Sequence, residues 1–573
     1  MTTSDNNNKS TPIQVWGPLL IALAIGLGMV VGMQMGHVKV IQLKGDSPST
    51  KIEIGRVEEV LRFVESHYVD SVRQEELKQN AINGMLKGLD PHSKYLTPEM
   101  LSLVNRDMYN VYIGLGILPK YIEDSIYVSF VFKDSPAARQ GIQVGDKLIE
   151  INGAPVAEDL SSLEASISSS SSRDTIWLTL SRKGLTQKVA LVKASIALDE
   201  IPGHFMIDDS IGLIRIERFG SETYRHFMQA LEGLTQEGCK DLIIDVRGNA
   251  GGFLNETIKI ISQLFAERDL PIAWAEGIHA PKQVFRTKGR PFFNLDDIVV
   301  LVDEQSASAS EILAGALQDL SRAVIVGRRT FGKGLVQEQY ELPDGYALRL
   351  TTARYYLPSG RSIQRDYSHG NTAYRDQWYE RLNTGELLSR DSVHLPDTTK
   401  YYTRLGKVVY SKSGILPDVF IPYSSFELEE GWSDFINEID DDILRHYSEL
   451  SEKYVDVISG DTLSLNKGKK GVSTIKQTDR ICNEILSRVC SQTPAWNRLL
   501  QAPDSMRRLS TICDYIHSDL LSATGDKNAY YKYLDVRDSA VTHAIDILRN
   551  NKADSILKSS SNAEKVYSRM ISN

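Results

Sequence analysis

Three serines alternate with alanines at the start of an apolar helical pattern, in the stretch VDEQSASASEILAGALQ from Val302 to Gln318. A serine between a strand and a helix can act as a nucleophile, because free N–H groups at a helix N-terminus favour an anion. The same stretch also fits a capping box, in which Ser308 caps the helix and Glu311 reaches back. It therefore leaves open whether Ser306, Ser308 or Ser310 reacts, or whether all three only begin a helix.

A reactive serine needs a general base, and the sequence offers a lysine rather than a histidine. None of the 11 histidines lies in a triad pattern, and the chain contains no G-x-S-x-G motif. Lys333 stands between two glycines in the otherwise apolar stretch GRRTFGKGLVQ. A lysine accepts a proton only when it is neutral, so burial or nearby positive charge must lower its pKa. The other interpretation is a solvated loop lysine.

A glycine turn follows a buried strand in IIDVRGNAGG. Such a turn can direct backbone N–H groups at an oxyanion, begin a helix or cradle a phosphate. It does not match G-x-G-x-x-G, so it gives little support to a dinucleotide site.

The elements that must position these residues follow a strand–helix pattern from about Ile211. The apolar runs DLIIDV and DIVVLVD lead directly into the glycine turn and the serine stretch. Continuous Val/Ile strands alternating with helices indicate a largely covered α/β sheet. A polar insertion is expected at 365–410, and a helical stripe begins near Trp432.

The 21-residue run VWGPLLIALAIGLGMVVGMQM carries no charge and is long enough to span a bilayer as a helix. We expect an uncleaved anchor rather than a cleaved signal peptide, since no small-x-small site follows the run. This predicts a single-pass protein of the inner membrane, with its catalytic part on the periplasmic side. Residues 1–14 would then be a cytoplasmic stub and residues 15–36 the transmembrane helix.

Composition excludes few classes of protein. A net charge of -9 and the absence of a Lys/Arg-rich block argue against a nucleic-acid partner. The four cysteines form no C-x-x-C motif, so no metal site is expected. Cys482 and Cys490 would be about 12 Å apart on one helix, too far for a disulfide, but one of them could pair with Cys513 if helices fold back.

Several motifs together closely resemble the carboxyl-terminal processing, or tail-specific, proteases, which are PDZ-containing Ser-Lys peptidases. Along the chain, the motifs are GMLKGLDPHSKYL, DVRGNAGG, SASASEILAGALQD, TFGKGLVQ and GILPDVFIP. They lie between Val57 and Pro422 and occur in the family's order. The resemblance implies that Ser308 is the nucleophile, Lys333 its base and Gln337 the residue that orients the amine. It also implies an oxyanion hole from the N–H groups of Gly252 and Ala309, and no cofactor.

Two further expectations follow from the resemblance. The loop Gly114-Leu115-Gly116-Ile117 would bind a peptide C-terminus in a PDZ domain, unless that domain only packs. Contact between Lys333 and Gln337 needs a turn or a long lysine reach, because they are about 13 Å apart if extended and about 6 Å if helical.

The predicted fold class is multidomain α/β, with a transmembrane helix, a helical segment, a PDZ-like β domain, an α/β protease core and a helical tail. The expected boundaries are 50–106 for the helical region, 107–195 for the PDZ domain, 196–424 for the core and 425–573 for the tail.

The predicted function is a membrane-anchored serine endopeptidase that binds free, apolar protein C-termini and cleaves upstream of them. It has no nucleic-acid partner, and its N-terminal helices could form a homodimer. The alternatives are a catalytically silent PDZ scaffold and a crotonase-like acyl-CoA enzyme.

Overall fold

The structure is a computed structural model that describes residues 55–109, 111–156, 167, 174–429, 431–465, 482–487, 504–522 and 526–558. The chain divides into two compact units, Met1–Lys78 and Gln79–Asn573.

The first described elements are three helices and one short strand. The helices, α1 (Arg56–His67), α2 (Gln74–Lys87) and α3 (Pro98–Tyr109), agree with the apolar spacing, whereas the strand β1 (Lys94–Leu96) was not predicted. The turn after α2 is held by the carboxylate of Asp90, which accepts the backbone N–H groups of His92 and Ser93. Asp90 also accepts the Thr351 hydroxyl at 2.9 Å, which fixes the DPHSKYL motif to a strand far along the chain.

A small antiparallel β domain follows. Its elements are β2 (Val111–Gly114), β3 (Ile117–Ile122), β4 (Ser125–Val131), α4 (Pro136–Arg139), β5 (Lys147–Ile151), β6 (Ala154–Pro155), β7 (Thr175–Arg182), β8 (Leu185–Val192) and β9 (Ala194–Ala197). The sheet has the order β3-β4-β5-β7-β8, with β6 on β5, while β2 pairs with β9. Alternate side chains such as Leu178 and Leu180 on β7 are fully buried, so this domain has its own core.

The central sheet carries the glycine turn and the serine stretch. It comprises β10 (Gly203–Met206), β11 (Ile211–Arg215), β12 (Asp241–Asp245), β15 (Ile298–Val302), β16 (Val324–Gly327) and β21 (Val419–Phe420), adjacent in that order. All its pairs except β10–β11 are parallel. Helices α5 (Thr223–Gln236), α6 (Leu254–Gln263) and α7 (Ala309–Asp319) pack on one face. Since every residue of β15 is buried, the predicted covered sheet is confirmed.

A second sheet lies beside the first. It consists of β13 (Arg268–Glu276), β14 (Gln283–Lys288), β17 (Leu335–Glu341) and β18 (Ala347–Tyr356), and β1 pairs with β18. The polar segment at 365–410 contains α8 (Gly370–Asn383) and the hairpin of β19 (Lys400–Tyr402) and β20 (Val408–Tyr410). From α8, the buried Arg381 donates to the carbonyl of Thr330, so this segment supports the loop that precedes Lys333.

The C-terminal region is helical and contacts both preceding domains. Its helices are α9 (Trp432–Leu465), α10 (Ser505–Ser522), α11 (Lys527–Asp535), α12 (Ser539–Arg549) and α13 (Ala553–Leu557). Ile439 and Ile443 of α9 share a core with Ile122 of the β domain. Val541 and Ala544 of α12 pack on the second face of the central sheet. The tail therefore supplies the other covering layer of that sheet.

The predicted transmembrane helix and the inner-membrane localisation are contradicted. Among the residues that the structure describes, no helix is both long and apolar enough to cross a bilayer. The longest described helix, α9, runs for 34 residues but carries acidic side chains along its length, including Asp440, Asp441 and Asp442. The apolar run Val15–Met35 lies outside the described residues.

One of the two disulfide pairings to Cys513 that the sequence allowed is formed. Cys482 bonds to Cys513 of α10, with 5.4 Å between their Cα atoms. Cys239 is a free, buried thiol whose pKa burial raises to about 11. Cys490 lies outside the described residues.

Candidate active site

Ser308 occupies a strained turn between β15 and α7. Its φ of 55° and ψ of -112° are unusual for a residue with a side chain, and such strain is found at functional turns. The helix that follows is buried along its whole length, so the position of Ser308 is fixed by the core. Ser308 itself is partly exposed. The turn therefore presents this hydroxyl rather than burying it.

The hydroxyl groups of the two flanking serines form structural hydrogen bonds. The Ser306 hydroxyl donates to the carbonyl of Val246 at 2.8 Å, and the Ser310 hydroxyl donates to the carbonyl of Asn249 at 2.9 Å. Both side chains are completely buried. These bonds attach the serine stretch to the glycine turn, which leaves Ser308 as the candidate nucleophile of the three.

The glycine turn lies directly against the nucleophile. A Cβ on Gly251 would stand 2.8 Å from the Cβ of Ser308 and 3.0 Å from the N of Ala309, so only glycine allows this approach. Asn249 shapes the turn by accepting the N–H of Gly251 at 2.8 Å and, through its carbonyl, the N–H of Ala307 at 3.0 Å. Both turns are thus built as one unit.

The N–H groups suggested for the oxyanion hole differ from neighbouring N–H groups of the two turns in their hydrogen bonding. The Gly251 N–H is bound to Asn249, and the Ser308 N–H is bound to Glu311. The N–H groups of Gly252 and Ala309 take part in none of these hydrogen bonds. Among the described residues they stay the candidates for binding a developing oxyanion.

Lys333 lies in the loop between β16 and β17. Burial lowers the pKa of its amine, reinforced by the positive charges of Arg349 and Lys94, while Glu311 and Asp90 oppose the shift. Within the described part of the chain, no hydrogen bond joins its Nζ to the Ser308 hydroxyl. The site therefore holds a buried lysine whose pKa is lowered and whose backbone shares an acceptor with that of Ser308.

Glu311 connects the two candidate catalytic residues, and sequence reasoning assigned it only a capping role. Its Oε2 accepts the N–H groups of Ser308 at 2.9 Å and Lys333 at 2.7 Å. Its Oε1 accepts the hydroxyl of Thr330 at 2.5 Å and the N–H of Gly332 at 2.7 Å. The S-x-x-E spacing signalled the first of these bonds, but nothing local signalled the others.

The carboxyl group of Glu311 is fully buried, and burial raises its pKa despite its four hydrogen-bond donors. A buried acceptor of this kind fixes geometry, because each donor would be left unsatisfied without it.

Gln337 is on strand β17, at a bulge that falls between Val336 and Gln337. The helical interpretation of the Lys333–Gln337 spacing is therefore excluded, since β17 begins at Leu335. The Gln337 Nε2 is buried without a hydrogen-bond partner among the described residues. The structure thus does not join Gln337 to Lys333, although it leaves the amide nitrogen unsatisfied.

His92 is a second residue that sequence reasoning did not place here. Burial and the nearby Lys333 lower its pKa to about 4, so the imidazole is neutral at physiological pH. Its Nε2 lies 3.4 Å from the hydroxyl of Tyr374 on α8. Its position in the DPHSKYL motif was the only sequence signal. The His92 imidazole is therefore an uncharged neighbour of Lys333.

The loop Gly114 to Ile117 joins β2 to β3 in the β domain. Gly116 has a φ of 88°, and its carbonyl accepts the N–H of Phe132 at 3.0 Å. Leu115 and Ile117 are buried, whereas the next residue, Leu118, is 46% exposed. This glycine loop beside an exposed apolar residue is compatible with a site for a peptide terminus.

Comparison with known families agrees with this geometry. A model described as peptidase family S41 matches residues 210–370, which include both turns and Lys333. A PDZ domain model matches residues 114–192, and the N-terminal domain of the activating protease CtpB matches 26–100. The predicted resemblance to the carboxyl-terminal processing proteases is confirmed, and the chain is a serine-type peptidase with similarity to peptidase family S41.

Its relatives include proteins described as probable CtpA-like serine proteases. That of Staphylococcus haemolyticus is 26% identical over 404 residues, which cover 69% of this chain and 79% of the relative. That of Staphylococcus aureus strain N315 is 27% identical over 382 residues, which cover 66% and 76%. A solved photosystem II D1 C-terminal processing protease is 23% identical, covers 65% of this chain and 94% of its own, and has a TM-score of 0.34.

Proposed function

We propose that this serine-type peptidase is a Ser-Lys endopeptidase that binds a protein C-terminus in its PDZ domain and cleaves the chain upstream. The observation that carries the proposal is the shared carboxylate. One oxygen of Glu311 holds the backbone of Ser308 and Lys333, and the Lys333 pKa is lowered. A fixed serine next to a lysine biased towards its neutral form is what this chemistry requires.

In the proposed reaction, the Ser308 Oγ attacks the carbonyl carbon of the peptide bond while the neutral Lys333 amine takes the hydroxyl proton. The N–H groups of Gly252 and Ala309 stabilise the oxyanion. The C–N bond then breaks, and the Lys333 ammonium gives its proton to the leaving amine. Water then attacks the acyl carbon while the neutral Lys333 amine takes its proton. The bond between that carbon and the Ser308 Oγ breaks, and the Lys333 ammonium returns the proton to Oγ.

Lys333 must approach the hydroxyl for this to occur. The long, unbranched lysine side chain can change its rotamer to do so, and catalytic hydrogen bonds commonly tighten only when substrate binds. We propose that the unsatisfied amide of Gln337 orients the Lys333 amine in that closed arrangement. Occupation of the PDZ domain is the event that we expect to favour closure.

The PDZ loop supplies the proposed specificity. Backbone N–H groups between Gly114 and Ile117 would bind the terminal carboxylate, and an apolar terminal side chain would contact Leu118. A substrate held there has a high effective concentration at Ser308, so the cut falls upstream of the terminus.

Two other functions remain to be distinguished from this one. A silent PDZ scaffold does not require a buried carboxylate that links Ser308 and Lys333. A crotonase-like enzyme would not require a PDZ domain. Self-association through the N-terminal helices stays a prediction, supported by Val57, Val60 and Phe63, each more than half exposed.

The test is covalent labelling with a serine-reactive phosphonate followed by peptide mass spectrometry. We expect one labelled peptide carrying the phosphonate on Ser308, and no label in Ser308→Ala. A scaffold or an acyl-CoA enzyme would leave Ser308 unlabelled. Label on Ser306 would assign the role of nucleophile to Ser306 instead.

A further inference from the structure

A buried ionic cluster lies at the carboxyl end of β12, immediately before the glycine turn. The carboxylate of Asp245 is completely buried and accepts Arg215 Nη1 at 2.6 Å and Arg247 Nη2 at 2.8 Å. It also accepts the backbone N–H of Arg247 at 2.9 Å. One carboxylate therefore faces two guanidinium groups, which leaves one positive charge to be balanced.

Two carboxylates at the C-terminal helices face the same guanidinium groups. Asp535, the last residue of α11, lies 3.3 Å from Arg215 and 3.4 Å from Arg247. Asp538, just before α12, lies 2.9 Å from Arg247. The ring of Tyr531 on α11 covers the Arg215 guanidinium at 4.5 Å. Arg247 Nη2 thus lies between Asp245 and Asp535, while its Nη1 is paired with Asp538 of the tail.

Arg247 is also part of the turn that contacts the nucleophile. The residue before it, Val246, accepts the Ser306 hydroxyl, and the residue after it, Gly248, donates its N–H to Asp303 at 3.0 Å. A displacement of Arg247 would therefore be transmitted through both bonds to the serine stretch. The region matched by the S41 model ends at residue 370, so Asp535 and Asp538 lie beyond it.

We propose that Asp535 and Asp538 are positioning residues: they hold Arg247, and through it the 246–252 turn, so that the Gly252 N–H points at the oxyanion. The inference rests on the proposed function, and it makes the C-terminal helices part of what the catalytic step requires. A misplacement of about 1 Å at a reacting group can reduce a rate about 100-fold.

Simple packing does not account for Asp535. Its side chain is 3% exposed, and an apolar residue of similar size would fill the same space without the cost of burying a carboxylate. Burial raises the pKa of Asp535 to about 7, opposed by Arg215 and reinforced by Asp245. Its two guanidinium partners are therefore what the buried carboxylate serves in this proposal.

The variants follow from the local geometry. Asp535→Asn removes the charge and keeps the shape. Asp538→Asn removes the second charge, and because asparagine is also a good N-cap it can still accept the N–H of Val541, as Asp538 does. Arg549→Gln is the matched control, since it removes an ion pair between α12 and Asp208 that does not involve the turn.

The measurement is the second-order rate of phosphonate labelling of Ser308, with kcat and KM for a peptide substrate and the melting temperature of each variant. We expect each Asn variant to lose about tenfold in labelling rate and kcat, with KM within about twofold. Arg549→Gln should match the wild type. Asp538 is partly exposed, so its variant keeps the test valid if Asp535→Asn does not fold.

Wild-type labelling by a folded Asp538→Asn variant, or an equal loss in Arg549→Gln, would overturn the positioning role. If the wild type is not labelled at all, the proposed function fails as well. The two failures are therefore distinguishable.

Discussion

The backbone N–H groups of Ser308 and Lys333 donate to the same oxygen atom, Oε2 of Glu311, at 2.9 Å and 2.7 Å. The residues come from different loops, one at the start of α7 and the other between β16 and β17. The relative position of the candidate nucleophile and the candidate base is therefore set by one buried carboxylate rather than by a contact between their side chains.

Replacement of Glu311 by glutamine should affect both stability and activity. One acceptor oxygen becomes an NH₂ group that faces two N–H or O–H donors, so buried hydrogen bonds are lost. We expect a loss of about 2–5 kcal/mol in the free energy of unfolding and at least about 100-fold in kcat/KM. Urea denaturation and peptide cleavage measure the two quantities. The surface variant Glu222→Gln is the control, and wild-type cleavage by Glu311→Gln would contradict the account.

The three serines of the opening stretch should respond differently to alanine. Ser306→Ala removes a buried hydroxyl that donates to Val246, and we expect a loss of about 1–3 kcal/mol in unfolding free energy with the label on Ser308 retained. Ser308→Ala should fold, with a loss of about 0.5–2 kcal/mol from the helix cap, and have no activity. The reverse pattern, in which Ser306→Ala alone abolishes labelling, would assign the reaction to Ser306.

The second face of the central sheet should depend on the tail. Val541 is completely buried against that face, so Val541→Asp places a carboxylate in a dry core and should prevent folding. Val541→Ala should fold with a melting temperature reduced by several degrees. Circular dichroism and size-exclusion chromatography check both outcomes. A chain ended at residue 424 that folds and melts like the full protein would show that the tail is dispensable.

Specificity for a free C-terminus can be tested with paired peptides. Amidation removes the terminal charge, and we expect KM to rise by about tenfold or more if the lost bonds contribute about 1.5–3 kcal/mol. Each peptide is compared with its own amidated form, so sequence effects cancel. Equal cleavage of the two forms would make the PDZ domain structural.

The local parts of the site could be predicted from the sequence. Apolar runs ending in glycine or serine turns gave the strands and helices around Ser308, and the glycines around Lys333 marked its loop. The motif resemblance then selected among the serines, which spacing alone did not.

The non-local parts could not be predicted in this way. The bonds from Glu311 to Lys333 and from Asp535 to Arg247 join segments 22 and 288 residues apart, and no periodicity encodes such pairs. The prediction of a membrane-spanning fold was wrong for a different reason: it rested on hydropathy of one run, and no described helix has the required character.

The central claim is that Lys333 is the base for Ser308, and the pH dependence of phosphonate labelling tests it most directly. Burial lowers the Lys333 pKa from 10.5, and only the neutral amine accepts a proton. The rate should therefore rise with pH through the lowered lysine pKa. The same profile should appear in His92→Gln, because His92 is already neutral there. Lys333→Arg should remain unlabelled at every pH. A rising limb near pH 6–7 that disappears in His92→Gln, or labelling of Lys333→Arg at the wild-type rate, would contradict the account.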